Sequence, residues 1–541
     1  MAAIEISSWT ELDSIRADLS ATASYVLTRS LLKTDADYVG IGDSWVPLGN
    51  AVVYVVAECQ LDMNGFTIEG LTATTTYFGG LFGQVGFDFC CENGIFDDAT
   101  ITSSNGFCGV VAGRAVASSP GWAFRNIRVK NSFVNDGRAF ILNGGIVGAV
   151  GATAGGVEGN VTDGVIEDCS VENCRIGGSA NGTGNYNGGI CGWLRGGTIR
   201  RCNVRETKID VGGVVSEYTY SGGICVALAS PLIEDCYVDG ISFSGYRSTY
   251  SGGIASRFSG GTCTIRRCWV GDVDYSATTS SGTGRRAIAS IQSGTTNISD
   301  CYYDVDGYAW QAAGGGTAKT TAEMYQQATF TNWDFDTVWY IQEGVDYPRL
   351  VSTDTLIVPS IVGETQAAAE SIITAALFIV GTITGEYSDT VPMGVVISQS
   401  PVAGAEAEFG SEIDFVVSLG PSMATMPNIV GLDVDAADAL LLSSLLTTGT
   451  VSVVSGAGEL YTVISQQYPP GEELEIGLAV NYTILVPASD LAGFKTVIGY
   501  DNILSRSDVT LTASSTAVGT FVANVADGNT YDFWRSGEGV S

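Results

Sequence analysis

Between residues 61 and 303 apolar side chains come in short runs broken by Gly-rich turns, with no intervening helical period. Five segments align: VIEDCSV (165–171), TIRRCNV (198–204), LIEDCYV (232–238), TIRRCWV (264–270) and NISDCYY (297–303). Their cysteines, Cys169, Cys202, Cys236, Cys268 and Cys301, are spaced by 33, 34, 32 and 33 residues. A second series is led by glycine: GGLFG (79–83), CGVVAG (108–113), GGIVG (144–148), GGICG (188–192), GGICV (222–226), GGIAS (252–256) and RAIAS (286–290). Each unit thus supplies two short apolar strands and cannot bury its apolar face alone. Stacked units share one continuous core. The pattern predicts a mainly β fold, a right-handed parallel β-helix (β-solenoid).

Stacking places equivalent residues of successive coils in columns. The cysteine column reads as small apolar core residues. Neighbouring strands ~4.8 Å apart lie within disulfide reach, which the pattern permits without requiring. The pairs before each cysteine alternate in sign: Glu167-Asp168, Arg200-Arg201, Glu234-Asp235, Arg266-Arg267, then Ser299-Asp300. In register, such a ladder attracts between coils, and a slip of one coil sets like on like. A catalytic reading of the carboxylates is also open, with Glu234, Asp235, Asp304 and Asp306 as candidates. An aromatic column, Tyr77, Tyr186, Tyr220 and Tyr250 with neighbours Tyr218 and Tyr246, reads as stacked packing or as a sugar-binding stripe.

After Leu350 the pattern changes. Residues 351–487 hold sixteen Asp and Glu and no Lys, Arg or Cys. They contain a duplication: VPSIVGETQAAAESIITAALFIVGTI (358–383) parallels MPNIVGLDVDAADALLLSSLLTTGTV (426–451), and the following strand segments repeat as well. Each copy has a helical stretch after an N-cap, Thr365 or Asp433, and then alternating strands around a Pro-Gly turn. Two small α+β modules are expected, at 357–421 and 426–487. Residues 488–541 form a short β-rich segment, an incomplete or docking domain whose open edges invite pairing.

The segments SSWTELDSIRADLSATASYVLTRSL, DYVGIGDSWVPLGN and NGFTIEGL resemble the opening of GLUG-motif surface proteins, and GGLFGQV and GGIVGAV resemble the motif itself. Residues 301–350 resemble the module that closes such arrays. That resemblance divides the first part into an N-terminal lead-in and cap (1–60), solenoid repeats (61–303) and a C-terminal cap (304–352). It implies a β-solenoid of cell-surface or virion adhesins, without known catalysis. The P-x-[IV]-V-G and ISQSPxxG segments resemble PASTA domains, which implies peptidoglycan binding or a spacer role. NILSRSDVTLTASS and NVADGNTYDFWR resemble discoidin-like modules of phage structural proteins.

Composition narrows function. The net charge of −33 disfavours nucleic acid and anionic membrane surfaces as partners. The chain has no histidine, which removes the usual general base and the commonest metal ligand. No cofactor is indicated; a divalent cation is compatible with the carboxylates. The opening twenty residues lack the basic and apolar regions of a secretory signal. These readings point to a non-enzymatic structural or adhesive protein of a virus particle. Its partners would be other virion proteins, through the PASTA-like or C-terminal region, and a host surface glycan, with a homotrimer as a candidate assembly. The alternatives are a bacterial surface adhesin and a tailspike-like polysaccharide-cleaving enzyme.

Overall fold

The computed structural model describes residues 3–487 except 19–22, 50–57, 105, 117–120, 137–140, 152–163, 178–184, 211–218, 228, 245–249, 257–260, 276–283, 291–293 and 308–313. The tail at 488–541 and the tyrosines Tyr218 and Tyr246 lie outside the described residues. The chain forms two compact units, Met1–Thr355 and Leu356–Ser541.

The first unit is a β-solenoid. One coil shows the plan: β1 (Val165–Glu167), β2 (Ser170–Glu172), β3 (Arg175–Ile176), β4 (Asn185–Gly188) and β5 (Cys191–Leu194). Every strand of this coil pairs in parallel with its equivalent one coil away, and among the described residues the β3, β4 and β5 ladders each hold seven strands. Register is strict: Glu167 pairs with Arg200, Arg200 with Glu234 and Glu234 with Arg266. Alternate side chains enter a single lumen, so Ile166, Ile199, Ile233 and Ile265 stack at 0% exposure. All thirteen cysteines are buried free thiols.

Two local rules shape each coil. Between β1 and β2 the chain bends through a left-handed residue: Asn93, Asn126, Asp168, Arg201, Asp235, Arg267 and Asp300 all have φ between 47 and 57°. Asn and Asp tolerate that conformation better than most side chains. The bend swings the next residue inward, which is why the cysteines line the lumen. The second rule acts at the β4–β5 corner. A Cβ at Gly222 would stand 1.8 Å from the Cys225 carbonyl oxygen, and one at Gly223 1.9 Å from that of Gly253 in the next coil. Paired glycines are required there by the backbones on either side. Arg286 and Ala287 take this place in the coil of β strands nearest the C-terminal end.

Both ends of the lumen are closed. At the N-terminal end Trp9 and Leu12 of a short helix and Trp45 are buried against the core. At the other end Gly314–Gly316 crosses the last coil, with Gly314 O accepting from the Ala289 amide at 3.1 Å and Cys301 O accepting from Thr317 at 2.8 Å. A Cβ on Gly315 would lie 2.3 Å from Ile298 Cδ1.

The second unit holds two modules of one topology. Each has a helix, Gln366–Ala375 or Val434–Ser443, capped by Thr365 or Asp433, whose side chain accepts from the amide three residues on. Each helix belongs with a three-stranded sheet. In the first module Glu412–Ser418 is central, parallel to Ile379–Glu386 and antiparallel to Val396–Ser400. In the second Ala479–Val486 is central between Thr447–Ser455 and Val463–Gln466.

Candidate functional site

The alternating charge pairs stand on the outer side of the β1 bend and bond between coils. Glu167 accepts from Arg125 Nε at 2.7 Å and Arg200 Nε at 2.6 Å, and Arg201 grips Asp168 with two bonds of 2.7 Å. Glu234 accepts from Arg266 and Arg267 at 2.6 and 2.9 Å, and Asp235 takes two bonds of 2.7 Å from Arg267. Each arginine pair thus reaches to the acidic pair one coil earlier. Arg125 extends the ladder beyond the residues that spacing singled out. The signal was present, because Glu92, Arg125 and Glu167 share one register.

A second ladder was missed. On β2 the register runs Asp97, Lys130, Glu172, Arg205, Asp239, again alternating in sign. Three residues after each bend cysteine was the place to look.

Burial pushes the Glu167 carboxyl up, but hydrogen bonds from Arg125 and Arg200 outweigh it and hold the group below the ordinary carboxylate range. A carboxylate depressed in the folded state stabilises fully above its unfolded value, about 4.3, and that contribution drains as pH falls through the folded value. Urea midpoints at pH 7 and pH 3 should therefore fall further for the wild type than for Glu167→Gln. Equal falls would remove the ladder as a source of acid sensitivity.

The candidate carboxylates are engaged by their own fold. Besides its arginine, Asp235 accepts from Trp339 Nε1 at 3.3 Å. Asp304 is fully buried and accepts from Thr321 Oγ1 at 2.6 Å and Tyr347 OH at 2.5 Å. Asp306 accepts from the Thr321 amide at 3.0 Å. Among the described residues no group of three or more Cys, Asp or Glu is placed to hold a metal ion. The cysteine column stacks inside: Cys169 Sγ approaches Glu167 O at 3.2 Å, and burial pushes the Cys169 and Cys236 thiols up.

The aromatic column lies on the outer side of β4. Tyr186 and Tyr220 stack at 5.2 Å and Tyr220 and Tyr250 at 5.4 Å. Tyr186 and Tyr220 are buried, so their faces are covered by one another. Phe78, not Tyr77, holds the register position, paired with Phe107 and stacked on it at 5.5 Å. Tyr77 is 46% exposed and stands one residue outside the column. In an aromatic pair the sequence alone does not say which member faces the ladder.

Residues 317–354 run along the outer side of β2 as a strap, back toward earlier coils. Asn332 bonds Asp300, and Tyr347 stacks on Trp269 at 4.7 Å. Arg349 pairs with Asp239 at 3.1 Å and lies over the Tyr237 and Trp269 rings. Asp354, 2% exposed, accepts from the Tyr237 hydroxyl, from Arg205 at 3.3 Å and from the Leu350 amide at 2.7 Å. Thr353 takes a bond from Asn203 at 2.7 Å.

In the second unit one glutamine per module ties the opening segment to the sheet. Gln399 accepts from the Ile361 amide at 2.9 Å and donates to Pro359 O and Pro401 O. Gln466 repeats this with Ile429, Pro427 and Tyr468. Replacing either by Leu orphans a backbone N–H, so Gln399→Leu and Gln466→Leu should each cost about 1–3 kcal/mol. Denaturant unfolding of the second unit checks this, and loss from only one variant would show that the tie differs between modules. The open sheet side of the first module carries a hollow of about 330 Å³ lined by Thr382, Thr384, Ser398, Ser400 and Asp414.

Residues 356–419 match the PASTA domain family. A serine/threonine-protein kinase of Clostridium acetobutylicum is 35% identical over 115 residues, 21% of this chain and 18% of the kinase. One of Bifidobacterium longum is 41% identical over 70 residues, 13% of this chain and 9% of the kinase. The chain therefore spans less than a fifth of these relatives. Among solved structures, a Bacteroides ovatus protein described as an immunoglobulin A1 protease has a TM-score of 0.41 at 18% identity over 65% of this chain and 93% of that one. The three-PASTA-domain region of a Staphylococcus aureus Ser/Thr kinase has a TM-score of 0.15 at 23% identity, over 28% of this chain and 79% of that one. The chain is a β-solenoid followed by a PASTA domain and a second module of the same topology. Among the described residues no helix is long and apolar enough to cross a membrane.

Proposed function

We propose that the chain is a non-enzymatic extracellular protein of a bacterial surface, with the solenoid as its adhesive part and the PASTA pair as a wall-contacting spacer. The observation that carries this reading is the PASTA match at 356–419 in tandem with a second copy of its topology. The kinase relatives lend weight, since their shared segments fall in the region of the PASTA match. The arginine and strap bonds on the candidate carboxylates favour a structural over a catalytic role. No cofactor enters the reading. The partners are surface glycan and wall polymer, and the charge of −33 sets nucleic acid and membrane aside.

The hydroxyl-lined hollow on the first module is the candidate wall contact, recognising uncharged sugar or amide groups because the region has no basic residue. A fibre of a virus particle would use the same scaffold, with other virion proteins as partners. Quantitative proteomics of gradient-purified particles and washed envelopes from the source culture separates the two. The surface reading expects the chain with the envelope and sedimentation of the purified chain with peptidoglycan. Stoichiometric recovery with capsid or tail proteins would overturn it.

A further inference from the structure

The two modules of the second unit share one bulge and differ in the charge placed on it. The register shifts between Val380 and Ile383 in the first module and between Thr448 and Val451 in the second. One side chain of the central strand spans each bulge. Asp414 Oδ1 accepts from the Thr382 amide at 2.6 Å, and Asn481 Oδ1 accepts from the Thr450 amide at 2.6 Å. Each oxygen lies against a glycine. A Cβ on Gly381 would stand 2.3 Å from Asp414 Oδ1, and one on Gly449 2.4 Å from Asn481 Oδ1. A neutral amide therefore serves this bulge as a carboxylate does, and the charge of Asp414 is surplus to the fold.

That charge stands in the hollow. Asp414 is exposed and lines the space of about 330 Å³, within the ~300–1,000 Å³ of small-molecule sites. Its bond to the bulge uses Oδ1 alone. Residues 351–487 hold no Lys or Arg, so no cation of the module neutralises it. Thr382, Thr384, Ser398 and Ser400 set hydroxyls around it. A carboxylate among hydroxyls suits a hydroxylated ligand with one cationic group, because hydrogen bonds between charged partners are the stronger ones. The second module has neither feature. Asn481 is neutral, and Gln467 stands opposite it where Ser400 stands opposite Asp414. Gln467 engages its own module: Oε1 accepts from the Asn481 amide at 3.0 Å, and Nε2 donates to the Tyr468 hydroxyl at 3.0 Å.

Taking the hollow as a wall contact, we propose that its ligand is an amino sugar with a free primary amine, which Asp414 selects while the hydroxyls bond the ring. Asp414 is thus a specificity-determining residue. Acetylation turns that amine into a neutral amide and removes the charge that Asp414 reads. The second module takes no such ligand, so the pair holds one site.

Isothermal titration calorimetry of the full chain at pH 6 and low salt, with linear trimers of glucosamine and of N-acetylglucosamine, tests this. The glucosamine trimer should bind about threefold to fivefold tighter, as one exposed charge pair allows, with one site per chain. Asp414→Asn should bring the two affinities together. Its urea midpoint should stay at the wild-type value, since Asn481 makes the same bond in the second module. Glu472→Gln removes an equal charge from an exposed position of the second module and should keep the preference. This control separates the site from the general pull of a −33 chain on a cation. Ser400→Gln should weaken both trimers. Equal affinity of the wild type for the two trimers, or an equal loss of preference from Glu472→Gln, would overturn the amine assignment and leave the hollow as a wall contact. Binding of neither trimer would overturn both.

Discussion

A single methyl group at Gly223 should disrupt the middle of the solenoid. The Cβ of Gly223→Ala would lie 1.9 Å from the Gly253 carbonyl oxygen, and one Val238 methyl group stands 2.9 Å from it. The obstacle is backbone of the adjacent coil, which cannot turn aside as a side chain can. That backbone is fixed in turn by Gly253 N–H to Arg286 O at 3.1 Å and by Ile254 N–H to Ile288 O at 3.0 Å. Relief requires the coils to separate along the lumen, which opens the Ile224–Ile254 contact. A loss of more than about 3 kcal/mol is expected, at the top of the overpacking range. Gly307→Ala is the control. Its Cβ would meet nothing closer than 3.5 Å, and a change within about 0.5 kcal/mol is expected. Guanidinium unfolding followed by tryptophan fluorescence reads both; similar midpoints would mean that the corner yields more easily than its distances imply.

Asp354→Ala should release the strap. The carboxylate is buried and serves the Tyr237 hydroxyl, the Arg205 guanidinium and the Leu350 amide together. Its removal leaves Arg205 beside Arg349 with one anion fewer, and both are mostly enclosed. Breaking such a buried pair from one side costs about 3–5 kcal/mol. Because the strap is held at several points, partial detachment is the expected form of the loss. Proteolysis should cut between Gln342 and Thr355 in the variant before the coils unfold. Arg205→Met in the same background should recover part of the stability, since it removes the stranded charge. If the double variant is no better than the single one, the carboxylate acts through Tyr237 and the Leu350 amide alone.

The coil plan was readable because each of its requirements is repeated. Cys169 alone says little, but five cysteines in one register mark a lumen column, and the glycine pairs mark the corner each time. Helix caps at Thr365 and Asp433 were readable for the same reason, since each copy supported the other. The strap's path was not readable. Its partners are far away in sequence, with Thr353 and Asn203 separated by 150 residues, and each contact occurs once. The β2 charge ladder escaped notice because Asn203, Tyr237 and Trp269 beside it vary. The closing role of residues 304–352 came from resemblance, whereas the crossing of the packed lumen by Gly314–Gly316 is shown only by the folded chain. The ties made by Gln399 and Gln466 were not legible, because only the folded loop brings the carbonyl acceptors to them.

The strap also decides where the solenoid bears tension. The chain leaves the first unit after Asp354, which is fastened at the coils of Arg205 and Tyr237 rather than at the last coil. A pull on that exit loads the middle of the stack first. To unravel the coils it must strip Asp354, Arg349, Tyr347 and Trp333 in that order. The terminal coil, which has the fewest neighbours, is thereby sheltered from the load until its fastenings have gone.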